Sequence, residues 1–323
     1  MHEDRKLGPL TAQESGYIEK PMLVSVIIPT YNRAKTIERA VNSVLNQTWN
    51  QIELIVVDDG STDQTVEVLK RYGNKIRLIR QQNGGPGAAR NTGIKAATGD
   101  VISFLDSDDE WLPSKIERQV KLLKATQSSG VVCCICSAKM NFTAGAVDSF
   151  THADLRPTER EGIWMNPAEV LATRFVFFNQ VAAVRREALE QTGYFRSGVM
   201  EDYDFALRLS LVGPWAFIAD PLVEWHEHTD NMSRAHSQLA ICTQTLQIIK
   251  DINDSPRLRV LLPQRLLNRR LRRLSHGARA LRLSNESNAL ARLFGRFLLL
   301  YLRGSDVLYW RLPSAPRMVT RPL

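Results

Sequence analysis

The sequence predicts an α/β fold, a mostly parallel central sheet flanked by helices, followed by a C-terminal α-helical extension. Two observations point there. Short, continuously apolar runs alternate with segments of helical periodicity from Leu23 to Lys124, the pattern of strands covered on both faces and joined by crossover helices. Beyond Ser255 the apolar spacing is helical throughout and the charge changes sign.

In chain order, residues 1–20 are polar and read as an irregular leader. Leu23–Ile28 is a β-rich run halted by Pro29, and Arg33–Gln47 repeats Ile37, Ala40, Val41, Val44 and Leu45 at helical spacing. The unit recurs as strand Ile52–Val57, helix Asp63–Tyr72, strand Ile76–Ile79, helix Pro86–Ala97, strand Val101–Leu105 and helix Pro113–Lys124, the last opened by proline. Val131–Cys136 is a further buried strand. Residues 140–165 read as a long irregular connection. A short helix over Pro167–Arg174, a strand over Gln180–Val184, a helix over Glu201–Leu211 and an apolar segment Trp215–Ile218 follow, and from His228 onward the pattern is helical.

The 323 residues hold 42 Lys+Arg and 34 Asp+Glu, a net charge of +8. From Ser255 to Leu323 there are 15 Arg, no Lys and two acids, Glu286 and Asp306, so this stretch carries +13 and the preceding 254 residues carry −5. The basic total thus hides an acidic body, and no nucleic-acid partner is expected. With 44% apolar residues in clustered runs, disorder of the body is excluded. No uncharged stretch reaches the ~20 apolar residues of a spanning helix, and the N-terminus lacks the apolar core of a secretory signal. Three of the four cysteines sit in Val131–Cys136 without disulfide or zinc spacing, so a cytoplasmic location is expected.

Ligands of parallel sheets bind beyond the carboxyl ends of the strands. That directs attention to Pro29-Thr30-Tyr31-Asn32, Asp58-Asp59-Gly60-Ser61, Asn83-Gly84-Gly85-Pro86-Gly87 and Asp106-Ser107-Asp108-Asp109, which follow successive strands and are expected on one rim. Crowded carboxylates repel one another, and a divalent cation relieves that repulsion. Mg²⁺ or Mn²⁺ is held by one or two carboxylates plus phosphate oxygens, so Asp106-x-Asp108 suits a metal–diphosphate site; an acidic turn capping the next helix is the other reading. Asp58-Asp59-Gly60-Ser61 either caps the following helix, where Asp63 is a natural N-cap, or supplies a carboxylate that accepts hydrogen bonds from a nucleotide, and Tyr31 either packs or stacks a base. Gly85-Pro86-Gly87-Ala88-Ala89-Arg90 mimics a dinucleotide fingerprint but follows the third strand and ends in Arg90, which suits a phosphate or an aspartate partner.

Together, Val-Ser-Val-Ile-Ile-Pro-Thr-Tyr-Asn-Arg from Val24, Val-Val-Asp-Asp-Gly-Ser-Thr-Asp from Val56, Gly-Ala-Ala-Arg-Asn-Thr-Gly-Ile from Gly87 and Phe-Leu-Asp-Ser-Asp-Asp from Phe104 resemble glycosyltransferase family 2. The resemblance continues through Thr192-Gly193-Tyr194-Phe195, Glu201–Arg208, His228, Asn231 and Ser233, covering roughly residues 22–235. It implies the GT-A nucleotide-diphospho-sugar transferase fold and an inverting, Mn²⁺- or Mg²⁺-dependent transfer from a UDP-linked or similar sugar donor. The acceptor is expected to be a saccharide, lipid-linked or protein hydroxyl, in bacterial cell-surface polysaccharide or glycoconjugate synthesis. By resemblance, Pro29, Thr30, Tyr31, Asp59, Arg90 and Asp106 bind the donor nucleotide, Asp106, Asp108 and His228 serve the metal, and Asp202 is the catalytic base. The expected organisation is a catalytic domain over 21–235, with a donor-binding half 21–137 and an acceptor half 138–235, then a basic helical extension over 236–323. The alternative is a catalytically inactive nucleotide-sugar-binding or scaffold protein on the same fold. The Gln-x-x-Arg-Trp segment of processive relatives is absent, so transfer of one or a few sugars is expected.

In the extension, Leu267, Leu271, Leu274, Ala278 and Leu281 define one helical face and Arg265, Arg269, Arg272, His276 and Arg279 the opposite one. This suits either a docked hairpin with solvated arginines or attachment of residues 258–303 to an anionic surface, placing the protein peripherally on the inner face of the membrane.

Overall fold

The computed structural model describes residues 21–171, 176, 178–198, 200–227, 244, 247–248 and 317–322. The leader 1–20, His228, Asn231, Ser233 and the two helical stretches predicted within 265–303 lie outside them.

The first half follows the predicted alternation: β1 (Val24–Thr30), α1 (Ile37–Leu45), β2 (Ile52–Asp58), α2 (Thr65–Lys70), β3 (Arg77–Arg80), α3 (Pro86–Ala96), β4 (Val101–Phe104), β5 (Glu110–Trp111) and α4 (Lys115–Ala125). Strands β3, β2, β1 and β4 lie side by side and parallel, as their apolar runs predict. Every residue of β1 is buried. The strand does not stop at Pro29. The Ile27 carbonyl accepts from Leu105 N on the β4 side and the Thr30 carbonyl from Asp59 N on the β2 side. Backbone groups of a parallel strand alternate sides, so the missing N–H of Pro29 falls where β4 has already ended.

The second half adds β6 (Cys133–Phe142), β7 (Gly145–Asp148), α5 (Ser149–His152), β8 (Glu161–Trp164), α6 (Pro167–Leu171), β9 (Ala182–Arg185), α7 (Arg186–Thr192), α8 (Glu201–Ser210), β10 (Trp215–His226) and β11 (Thr320–Arg321). The sheet runs β11-β8-β10-β6-β9-β4-β1-β2-β3, with β9 antiparallel to both β4 and β6 and β10 parallel to β6. Two expectations are corrected. Residues 140–165 are not irregular: β6 and β7 form a hairpin, Asp148 caps α5 through Thr151 N, and β8 pairs with β10. Nor is the chain helical to its end, because β11 lies antiparallel on β8, with the Asn166 side chain holding the Arg317 carbonyl and Val319 N. The cysteine strand is buried as predicted, and burial pushes the Cys136 thiol up to about 11, which keeps it unreactive.

Two packing features position the rim. A Cβ on Gly93 of α3 would stand 2.4 Å from Ile27 Cγ2, so only glycine lets α3 lie this close to β1. Phe195 stacks on Phe205 of α8 at 4.3 Å between ring centres and meets Phe104 of β4 edge-on at 5.2 Å. This trio fixes the start of α8 against the end of β4.

Candidate functional site

The loops after β1, β2, β3 and β4 form one rim, as expected from strand order. Asn32, with φ of 52°, turns its side chain so that Oδ1 accepts from Thr62 N at 2.8 Å, while its own N–H donates to Ser61 Oγ at 2.9 Å. The first loop is thereby tied to the second. Pro29 and Thr30 end β1; Thr30 is buried and its Oγ1 has no hydrogen-bond partner among the described residues. Tyr31 is 45% exposed.

Asp59 is buried and accepts from Gln81 Nε2 at 2.7 Å, Gly84 N at 2.9 Å and Gly85 N at 2.8 Å. It holds the glycine turn in place, these contacts using three of a carboxylate's about four acceptor sites. Gly85, with φ of 85°, supplies the left-handed turn into α3. Asp58 is spent on Arg80 and Ser61 N. Asp63 accepts from Thr65 N at 2.9 Å, but the N-cap position of α2 is Gln64, so Asp63 lies one residue before the cap.

The three carboxylates after β4 separate by environment. Asp109 is buried and accepts from His226 N at 3.0 Å and Gln180 Nε2 at 2.9 Å; burial, reinforced by the charges of Asp108 and Asp106, pushes its carboxyl well above the usual range. Asp106 and Asp108 remain partly open, with side chains 28% and 17% exposed. Asp106 Oδ1 accepts from Arg90 Nη2 at 2.8 Å and Oδ2 from Gln180 Nε2. Asp108 Oδ2 lies 3.4 Å from Arg33 Nε, and the Asp108 carbonyl accepts from Arg39. The next helix, α4, begins only at Lys115, beyond β5, so these acids do not cap it.

Arg90 does not reach outward. Its side chain is 4% exposed and bridges Asp106 to Glu201 Oε1, 2.9 Å away at the start of α8. Burial alone would weaken the guanidinium's proton; the two carboxylates more than offset this and raise it. Asp202 follows, half-buried, its Oδ1 accepting from Tyr203 N at 2.7 Å. Burial first, then the adjacent Glu201 charge, push its carboxyl up to about 7, with Arg90 opposing. Asp204 plays another part: it is buried against Arg208, which in turn holds the Thr192 and Tyr194 carbonyls. Glu201, at Arg90, and Asp204, at Arg208, are both engaged by arginines.

Asp106 and Asp108 offer hard oxygen donors, and no cluster of three or more His, Cys, Asp or Glu among the described residues could hold an ion. That set fits a Mg²⁺- or Mn²⁺-sized cation that takes its remaining oxygens from a diphosphate. Gln180 was not singled out from sequence; an amide inside a predicted strand carries no signal of its own. No helix among the described residues is long and apolar enough to cross a membrane.

The family model described as Glycosyl transferase family 2 matches residues 25–192. An uncharacterized glycosyltransferase of Nostoc sp. is 46% identical over 115 residues, which is 34% of this chain and 36% of that protein. An uncharacterized glycosyltransferase of Escherichia coli, YibD, is 43% identical over 97 residues, 29% of this chain and 28% of its own. The matched stretch thus spans about a third of such relatives. S. aureus TarS in complex with UDP-GlcNAc superposes with a TM-score of 0.69 at 22% identity, covering 88% of each chain. A mannosyltransferase from Pyrobaculum calidifontis in complex with GDP-Man and Mn²⁺ gives 0.53 at 22% identity, covering 91% of this chain and 77% of the other. These likenesses show a shared GT-A type fold.

Proposed function

The chain belongs to glycosyl transferase family 2, and on that basis we propose that it transfers a sugar, with inversion, from a UDP-linked or similar nucleoside-diphosphate donor to an acceptor hydroxyl. One observation carries the reading. Arg90 joins Asp106, at the end of β4, to Glu201, the residue before Asp202, so a diphosphate-side carboxylate and a proton acceptor from distant parts of the chain share one site. The donor complexes of the TarS and mannosyltransferase structures support the choice of donor class.

In this reading residues 21–137 form the donor half and 138–235 the acceptor half. Pro29, Thr30, Tyr31 and Asp59 receive the base and ribose, with the unpartnered Thr30 Oγ1 and the exposed Tyr31 ring as contacts. Asp106 and Asp108 would hold the divalent cation, and the family resemblance adds His228 to its ligands. That cation supplies, when bound, charge neutralisation for the departing diphosphate. Asp202 accepts the proton of the acceptor hydroxyl while its oxygen bonds to the anomeric carbon; the bond to the diphosphate oxygen breaks, and the electron pair leaves with the nucleoside diphosphate. A carboxyl raised from its ordinary range towards neutral pH is a stronger base than an ordinary carboxylate, which suits that task. The Arg90 charge stays fixed between both carboxylates, so they need not reorganise as the reaction proceeds.

The acceptor is proposed to be a saccharide, lipid-linked or protein hydroxyl in bacterial surface glycoconjugate synthesis, with the enzyme in the cytoplasm. Residues 258–303 are proposed to attach it to an anionic membrane face. Replacing Arg265, Arg269, Arg272 and Arg279 by Gln should release it from phosphatidylglycerol vesicles, and unchanged co-sedimentation would contradict the attachment. A thermal-shift screen of UDP- and GDP-sugars with and without Mn²⁺ tests the donor class; stabilisation by none of them sinks it.

A further inference from the structure

We propose that Gln180 is a positioning residue that aims Asp106 at the divalent cation and keeps Asp109 from joining it; this rests on the metal-binding role proposed for Asp106 and Asp108. The Nε2 amide of Gln180 donates both to Asp106 Oδ2 and, at 2.9 Å, to Asp109 Oδ2. An NH₂ group has two hydrogens, one for each carboxylate. Asp106 is thus gripped on both oxygens, by Arg90 on one and by the neutral amide on the other, while Asp109 is drawn inward to its contact with His226 N.

The turn that carries the amide is held independently of the acids it serves. Gln180 lies in a 3-10 turn, Asn179–Val181, whose backbone is anchored from two other elements. Trp111 Nε1 of β5 donates to the Gln180 carbonyl at 2.9 Å, and Gln119 Nε2 of α4 donates to the Val181 carbonyl at 2.7 Å. Gln119 in turn accepts from the buried Lys115 ammonium at 2.8 Å, which stands 3.8 Å over the Trp111 ring. The turn is therefore set before any ligand arrives. The neutrality of the amide matters as well. A second cation beside Arg90 would cancel the charge of Asp106 and compete with a divalent ion, whereas an amide fixes the carboxylate and leaves its charge.

The test is calorimetric titration of UDP, in EDTA and in Mn²⁺, into the wild type, Gln180→Met and Gln180→Asn, with melting temperatures alongside. UDP affinity in EDTA should stay within about twofold, while the gain brought by Mn²⁺ falls about tenfold, the low end for loss of an outer-shell contact. Should Gln180→Met lose the fold, Gln180→Asn, which keeps a polar amide too short to span both carboxylates, carries the same expectation. A folded variant with the full Mn²⁺ gain, or one that loses affinity equally with and without Mn²⁺, overturns the proposal. A wild type with no Mn²⁺ gain overturns instead the donor-site reading beneath it.

Discussion

Arg90 and Glu201 stand 111 positions apart in the chain and meet at 2.9 Å. The guanidinium is buried, and its other terminal nitrogen holds Asp106 at 2.8 Å. Removing it leaves two carboxylates facing each other without a counter-charge. Arg90→Met should cost about 3–5 kcal/mol, the range for breaking a buried ion pair. Urea unfolding measures this, and a loss below about 1 kcal/mol would show that the triad contributes little.

Asp202 is held above its ordinary carboxylate range by burial and by Glu201. Between the unfolded value near 3.8 and the folded value near 7, the folded state binds more protons than the unfolded one. Stability contributed at Asp202 is therefore present below the unfolded value and lost as pH rises through about 7. Asp202→Asn should melt higher than the wild type at pH 8 and close to it at pH 4. Equal melting temperatures at pH 8 would contradict the strained carboxylate.

The same ionisation predicts the acid limb of activity. A base must be deprotonated to accept a proton, so turnover should rise with pH and level off above an inflection near 7. In Glu201→Gln, which removes the adjacent negative charge, that inflection should shift down. A pH–rate profile with no inflection between 5 and 8 would count against it.

Gly93→Ala should cost about 1–3 kcal/mol through overpacking against Ile27. Combining it with Ile27→Ala, which removes the clashing methyl, should cost less than the sum of the two single changes. Strict additivity would mean that α3 shifts instead of straining.

The donor half was legible because each buried strand is a continuous apolar run followed at once by polar loop residues, so strand order alone places Tyr31, Asp59 and Asp106 on one rim. The β6–β7 hairpin and β8 were not legible. β7 and β8 are four residues each, too short to show a period, and past Ser137 the continuous apolar run of β6 gives way to a brief alternation of Ala138, Met140 and Phe142 with Lys139 and Asn141, which the fully buried-strand pattern does not cover. Nor does the sequence distinguish Asp109 from Asp106 and Asp108. What separates Asp109 is its burial and its contact with His226 N, 117 positions away. Arg90 was recognised as a candidate, but its commitment to Glu201 needs the Phe104–Phe195–Phe205 stack that brings α8 to β4.

One site is proposed to bind a metal–nucleotide donor and to use Asp202 to activate the acceptor. The most direct measurement is nucleotide release from the donor selected by the thermal-shift screen, with Mn²⁺ or EDTA, for the wild type and Asp202→Asn, alongside Mn²⁺–UDP binding to both. Mn²⁺-dependent release is expected from the wild type and, in Asp202→Asn, retained binding with turnover reduced at least about 100-fold, the lower bound for loss of a general base. Turnover by Asp202→Asn at the wild-type rate would contradict it.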